Sequence, residues 1–144
     1  MAGESPTREF FIATPEEIRA GLTSDVYFLR TLEVLKKARK DRTKVVLETT
    51  VQSLPNGWPW AVFAGLTEAL NLLRGKPLDA WALPEGTIFT PKTPRGIPVP
   101  VLVVEGPYGD FCIYETPVLG FLCQSSGIAT KAARIRKVAG TRQV

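Results

Sequence analysis

The sequence predicts an α+β fold, with helices and strands in separate runs rather than strict alternation. Three observations carry this. Two helix openings stand near the start, Thr14-Pro15-Glu16-Glu17 and Ser24-Asp25. Strand-like segments fill the middle, from Lys44 to Val104, broken by a single helical segment. Two helical segments then follow in succession between Tyr114 and Val138. At 144 residues and near-average composition, the chain can bury one ordinary core.

Residues Met1 to Thr7 read as a disordered lead-in, with Phe10, Phe11 and Ile12 as the first apolar anchor. The first helix has threonine as its cap, Pro15 at the first position and Glu16 and Glu17 offsetting the dipole, and it ends near Gly21. Ser24 or Asp25 caps a longer helix, where Tyr27, Leu32 and Leu35 recur at helical spacing and Lys36, Lys37, Arg39 and Lys40 load the C-terminal end.

From Lys44 to Ser53 the period drops to two: Val45, Leu47, Thr49 and Val51 face one way, Val46, Glu48, Thr50 and Gln52 the other. Pro55-Asn56-Gly57-Trp58-Pro59-Trp60 is a turn cluster whose tryptophans pack the loop down. Leu66 to Leu73, closed by Gly75, is a helix with Leu66, Leu70 and Leu73 on one side. Short strands over Asp79 to Leu83 and Thr87 to Thr90 flank Pro84-Glu85-Gly86, and Arg95-Gly96 turns a proline-rich loop. Val99 to Val104 is a strand buried on both faces, with Pro100 marking an edge or bulge and Gly106-Pro107-Tyr108-Gly109 ending it.

Thr116 is placed to cap a helix with Pro117 in its first turn, running to Cys123. Gln124-Ser125-Ser126-Gly127 then opens a second, basic helix that Gly140 closes. Gly120, Cys123 and Gly127 put small side chains at helical spacing, where another backbone can approach. Thr141 to Val144 reads as the beginning of a further strand with no partner downstream.

Net charge is +4, and the basic residues concentrate over Arg30 to Lys44 and Lys131 to Arg142, which read as solvated helix faces. The chain holds no histidine, which excludes nucleophilic catalysis with a histidine base. Neither a GxGxxG nor a Gly-Lys-Ser/Thr loop is present to cradle phosphates. Cys112 and Cys123 lie in apolar sequence and read as buried, reduced thiols without a zinc site. No segment approaches the roughly 18 apolar residues that span a bilayer, and a cytoplasmic location is expected.

Four segments in order, Ser24-Asp25-Val26-Tyr27-Phe28, Pro84-Glu85-Gly86-Thr87, Val104-Glu105-Gly106 and Gln124-Ser125-Ser126-Gly127-Ile128-Ala129-Thr130, resemble nicotinate and quinolinate phosphoribosyltransferases. The match runs from about Thr14 and covers the front part of such an enzyme. It implies a mixed α/β sandwich-like N-terminal domain of type II phosphoribosyltransferases, followed by helices leading into a missing α/β barrel. The implied boundaries are a lead-in at 1–13, the N-terminal domain at 14–110, and a helical junction with the start of a truncated barrel at 111–144.

The resemblance implies synthesis of nicotinate mononucleotide from nicotinate and phosphoribosyl diphosphate for NAD biosynthesis. ATP and Mg²⁺ would be bound mainly by the missing barrel, which leaves this chain alone inactive. It implies a homodimer or higher homo-oligomer with shared active sites and no nucleic-acid or membrane partner. Tyr27 would stack on the pyridine ring in the neighbouring subunit's site. Asp25, beside it, and Glu115 are further candidates, although a helix cap and a helix-start acid are the better readings of them. Glu85 and Thr87 sit in family segments without an assigned role, and Lys131, Arg134, Arg136 and Lys137 could add positive field near a diphosphate. A quinolinate enzyme is the near rival, but there an arginine reaching a substrate carboxylate follows the glutamate, where this chain has Thr116. A non-catalytic basic module with Trp58 and Trp60 as stacking platforms is the rival from another class. A biotinyl- or lipoyl-type carrier would depend on Lys92, whose Pro-Lys-Thr-Pro setting does not resemble the carrier motif.

Overall fold

The computed structural model describes residues 12–143, so the expectations for Met1 to Thr7, Phe10, Phe11 and Val144 lie outside it. Helix α1 spans Pro15–Arg19 with a complete capping box: Thr14 Oγ1 accepts from Glu17 N, and the Glu17 carboxylate accepts from Thr14 N at 2.9 Å. Helix α2 spans Val26–Lys37 and is capped by Asp25, whose carboxylate accepts from Tyr27 N. Ile12, the one described residue of the expected anchor, is exposed.

Strand β1 (Lys44–Thr50) shows the expected alternation, half-buried at Val45, Leu47 and Thr49 and exposed between them. It pairs antiparallel with β5 (Pro100–Pro107), which pairs antiparallel with β3 (Asp79–Ala82), giving the sheet order β1-β5-β3. The register shifts at Thr49/Thr50 opposite Pro100, the bulge that the missing proline N–H requires. The strand runs through Gly106 and Pro107 instead of stopping there. Gly106 suits this place because a Cβ on it would meet Leu78 Cβ at 2.8 Å.

A second ribbon pairs β2 (Ala61–Val62) with β4 (Ile88–Phe89), and α3 (Leu66–Leu73) lies between β2 and β3 in sequence. The inward face of α3 is Ala69, Leu72 and Leu73; Leu70, expected inside, is exposed. The α3 stripe is set by its contact with the last helix, α4, not by leucine spacing alone.

Helix α4 is a single element, Glu115–Ala139, where the sequence predicts two. A 3-10 turn over Cys112–Tyr114 feeds straight into it, so it starts ahead of Thr116 with Tyr114 as a cap residue that makes no side-chain cap bond. Thr116 Oγ1 instead accepts from Asp25 N at 3.2 Å, tying the start of α2 to the first turn of α4. Ser126, in the segment expected to open the second helix, bonds across to a neighbouring segment: its Oγ accepts from Ala64 N at 3.0 Å and donates to Ala64 O at 3.1 Å. Because that hydroxyl is spent on a neighbouring segment, it does not compete with the helix backbone.

Gly120 and Gly127 would meet nothing with an added Cβ, so the expected close approach does not occur at them. It occurs at Gly65, where a Cβ would overlap the Phe121 carbonyl oxygen. Gly140 ends α4 at φ +60, as expected, while residues 141–143 form a turn and bend rather than a strand.

The core joins the inner sheet face, the ribbon, α3 and α4, with Phe63, Leu102, Val104, Val118 and Leu122 at its centre. Cys112 is fully buried, but Cys123 is exposed, because the α4 face carrying it looks into an open cavity instead of the core.

Candidate functional site

The α2 N-terminus, the turn after β5 and the first turn of α4 meet at one end of the molecule. Asp25 holds the first helical N–H groups of α2, and Thr116 holds Asp25 N, so Tyr27 projects from a backbone fixed at two points. Its ring lies 4.0 Å from that of Phe28, tilted by 39°. Phe28 is the buried residue of α2, while Tyr27 is 53% exposed. The inner ring anchors and the outer ring is presented.

Glu115, the first residue of α4, is half-buried and raises the pKa of both Tyr27 and Tyr108, which places the three groups within electrostatic reach. The Tyr27 phenol is pushed up by desolvation, then by the carboxylates of Glu115 and Asp25. Burial also pushes up Tyr108, Cys112 and Glu115 itself. At neutral pH the two tyrosines are therefore hydrogen-bond donors, not phenolates. Tyr108 went unassigned in the sequence, where Gly106-Pro107-Tyr108-Gly109 reads only as a strand end. The nearby Tyr114 is structural: its hydroxyl donates to Arg19 O at 3.0 Å, and Lys76 Nζ lies 4.0 Å from its ring centroid.

The raised Glu115 pKa has a stability consequence of fixed sign. Between the unfolded and folded pKa values the folded chain binds the extra proton, so stability falls as pH rises through that window. Glu115→Gln is expected to raise the urea midpoint at pH 7 and leave it nearly unchanged at acidic pH, where Glu115 is protonated in both states.

The other family-segment residues lie elsewhere. Glu85 accepts from Gly65 N at 2.7 Å and from Leu66 N at 2.9 Å, so its carboxylate caps α3. Glu85→Gln, which keeps one acceptor and removes the charge from a helix N-terminus, is expected to cost about 1–2 kcal/mol in a urea titration. Thr87 Oγ1 donates to Pro84 O at 2.6 Å and closes the same turn. Both roles are architectural.

The basic end of α4 packs the tryptophan loop. The Arg134 guanidinium lies 4.3 Å from the ring centroids of both Trp58 and Trp60 and donates to Trp60 O at 3.1 Å. The indole faces turned to α4 are thus taken by a cation of the same chain. Beneath Trp58 a cavity of ≈ 440 Å³ opens against Leu119, Leu122, Cys123 and Gly127 of α4. None of its lining residues belongs to the Tyr27 group.

Among the described residues no three His, Cys, Asp or Glu side chains come together as a metal site. No helix among the described residues is long and apolar enough to cross a membrane.

Small antiparallel sheets packed with helices and closed by a long helix are the mixed α/β architecture of type II phosphoribosyltransferase N-terminal domains. The family model described as "Quinolinate phosphoribosyl transferase, N-terminal domain" matches residues 25–126, and the chain belongs to that family. It is 30% identical to nicotinate phosphoribosyltransferase 2 of Arabidopsis thaliana, over 83% of this chain and 26% of that protein. With nicotinate phosphoribosyltransferase of Bos taurus the identity is 32%, over 85% of this chain and 20% of the relative.

Among solved structures, nicotinate-nucleotide pyrophosphorylase from Pyrococcus furiosus superimposes with a TM-score of 0.83 at 50% identity, over 92% of this chain and 32% of that one. Human nicotinic acid phosphoribosyltransferase superimposes with a TM-score of 0.71 at 25% identity, over 84% of this chain and 29% of that one. The chain thus spans about a fifth to a third of the relatives it matches.

Proposed function

We propose that this chain is the N-terminal part of a nicotinate phosphoribosyltransferase, making nicotinate mononucleotide from nicotinate and phosphoribosyl diphosphate with ATP hydrolysis. Tyr27 is its substrate contact. The observation that carries the reading is the state of that one side chain: an aromatic ring on a doubly fixed helix start, half-exposed instead of packed away. A rigid aromatic face contributes about 1 kcal/mol to stacking beyond its area burial. The relatives named for nicotinate support the substrate.

Nicotinate and phosphoribosyl diphosphate are both anions, and the charged groups that act on Tyr27 are the carboxylates of Glu115 and Asp25. Gripping the substrate carboxylate and the diphosphate, and binding ATP and Mg²⁺, therefore falls to the part of the fold that the relatives carry beyond this region. The enzyme assembles as a homodimer or higher homo-oligomer in the cytoplasm, with Tyr27 facing a neighbouring subunit's site. Val26 and Leu29, exposed beside Tyr27 on α2, supply apolar surface for that contact.

A quinolinate enzyme is the second reading, favoured by the description of the family model and by the 50% identity to the Pyrococcus furiosus structure. The residue after Glu115 opposes it: Thr116 is engaged with Asp25 N and carries no charge for a second carboxylate. The purified chain is expected to form no nicotinate mononucleotide, and competition binding on the full-length enzyme is expected to favour nicotinate over quinolinate. Turnover by the chain alone, or preference for quinolinate, would refute the proposal.

A further inference from the structure

The charge beside Tyr27 has the wrong sign for the substrate as it arrives. Nicotinate is an anion, yet the charged groups that act on Tyr27 are the carboxylates of Glu115 and Asp25. The two acids are not equivalent. Asp25 is committed to the start of α2: its carboxylate accepts from Tyr27 N at 3.4 Å, and its own N donates to Thr116 Oγ1 at 3.2 Å. Glu115, the residue before Thr116, makes neither a side-chain hydrogen bond nor a salt bridge to any described residue. Lys36 bears on Cys112, three residues earlier, but not on Glu115. Glu115 also lines a narrow void in the core with Leu47, Leu102, Phe111 and Val118. Apolar neighbours on that side screen its charge little, so its field reaches Tyr27 more strongly than that of a surface acid.

The chemistry of the ring supplies a use for an unpaired acid here. In the proposed reaction the lone pair of the ring nitrogen forms the bond to the anomeric carbon of phosphoribosyl diphosphate. The bond from that carbon to the diphosphate oxygen breaks, and the diphosphate leaves with the electron pair. The ring nitrogen, neutral at the start, ends with a full positive charge. A fixed negative field beside the ring therefore favours the late state over the early one, which is the differential binding that lowers a barrier. The Tyr27 face works in the same direction, since an aromatic ring attracts a cation to its face. The repulsion of the substrate's own carboxylate is the same before and after reaction, so it leaves that preference intact.

We propose that Glu115 sets the charge preference of the Tyr27 site, favouring the positively charged ring of the transition state and of nicotinate mononucleotide over the neutral ring of nicotinate. This rests on the reading that nicotinate stacks on Tyr27. It also accounts for a group that works against the fold, since Glu115 is the acid whose neutralisation is expected to raise the urea midpoint. A half-buried carboxylate without a partner is held at the expense of stability where its charge serves the reaction.

Two ligands of the full-length enzyme separate ring charge from ring shape. One is nicotinate. The other is N-methylnicotinate, whose methyl group stands where the ribose carbon would be bonded and whose ring is permanently positive. Dissociation constants are measured by calorimetry for the parent, Glu115→Gln, Glu115→Asp and Tyr27→Leu, with kcat and nicotinate KM beside them. Glu115→Gln is expected to weaken N-methylnicotinate about tenfold, to leave nicotinate within about twofold, and to lower kcat about tenfold with nicotinate KM unchanged. Glu115→Asp keeps the charge and is expected to retain the preference for the positive ring. Tyr27→Leu is expected to weaken both ligands. If it does, while Glu115→Gln changes the two ligands equally or not at all, stacking stands and the role of Glu115 is overturned. If Tyr27→Leu weakens neither ligand, the stacking reading fails, and this inference with it.

Discussion

Gly65→Ala is expected to destabilise the chain by about 2–4 kcal/mol, the sum of a strained left-handed backbone and an overpacked contact. Gly65 sits at φ +92, and a Cβ there would overlap the Phe121 carbonyl oxygen and lie 3.0 Å from Ser125 Cβ. Neither neighbour yields easily: one is helix backbone, and the other belongs to the turn of α4 that Ser126 pins to Ala64. Gly65 N also donates to Glu85, so moving the loop aside would break the α3 cap as well. Gly86→Ala is the control. Its φ is +83 but nothing lies within 4 Å of an added Cβ, so it bears the backbone cost alone, about 1–2 kcal/mol. Urea midpoints of the two variants separate the contact from the conformation, and equal losses would mean that the Gly65 approach contributes little.

Tyr27→Leu is expected to leave the stability of the chain within about 0.5 kcal/mol, because the ring is half outside and its backbone is held by Asp25 and Thr116. In the assembled enzyme the same change is expected to weaken nicotinate binding about tenfold, the loss of a stacking face and part of its buried area. Tyr27→Phe keeps the face and is expected to bind nearly as the parent does. Nicotinate KM with phosphoribosyl diphosphate saturating, measured beside the melting temperature, distinguishes this from a packing role. A fall in melting temperature with KM unchanged would assign Tyr27 to the fold instead.

The two expectations differ in how openly the sequence announced them. Local chemistry was legible wherever a residue acts on its own neighbours. Thr14 and Glu17 form their capping box, β1 alternates, Gly140 ends α4 at a positive φ, and Pro100 lies opposite a bulge. Those features follow from hydrogen-bond stoichiometry and sterics within a few residues. Reading failed where a side chain found a distant partner. Thr116 has the form of a helix cap but serves Asp25, 91 positions away, and Ser126 has the form of a helix breaker but serves Ala64. Leu70 has the form of a core residue, yet the face of α3 is chosen by α4, and Ala69 is buried in its place.

The site follows the same division. Asp25 and Tyr27 were named from one contiguous segment, and Glu115 from another, but nothing in the spacing brings Tyr108 beside them. That meeting depends on the Thr116 bond and on the turn after β5. Cys123 was misread for the complementary reason: apolar neighbours in sequence do not bury a thiol when its helix face looks into an open cavity.

By itself, then, the sequence determined the α+β class, the order of nearly every element and the segments that mark the family, because each is written in short-range pattern. Tertiary structure alone decided that two predicted helices are one and that Gly65, rather than Gly120 or Gly127, is the point of closest approach. It also decided that Phe28 anchors while Tyr27 is presented. Those outcomes depend on which distant groups satisfy a hydroxyl, a carboxylate or a void, and such partners are chosen only when the chain is folded.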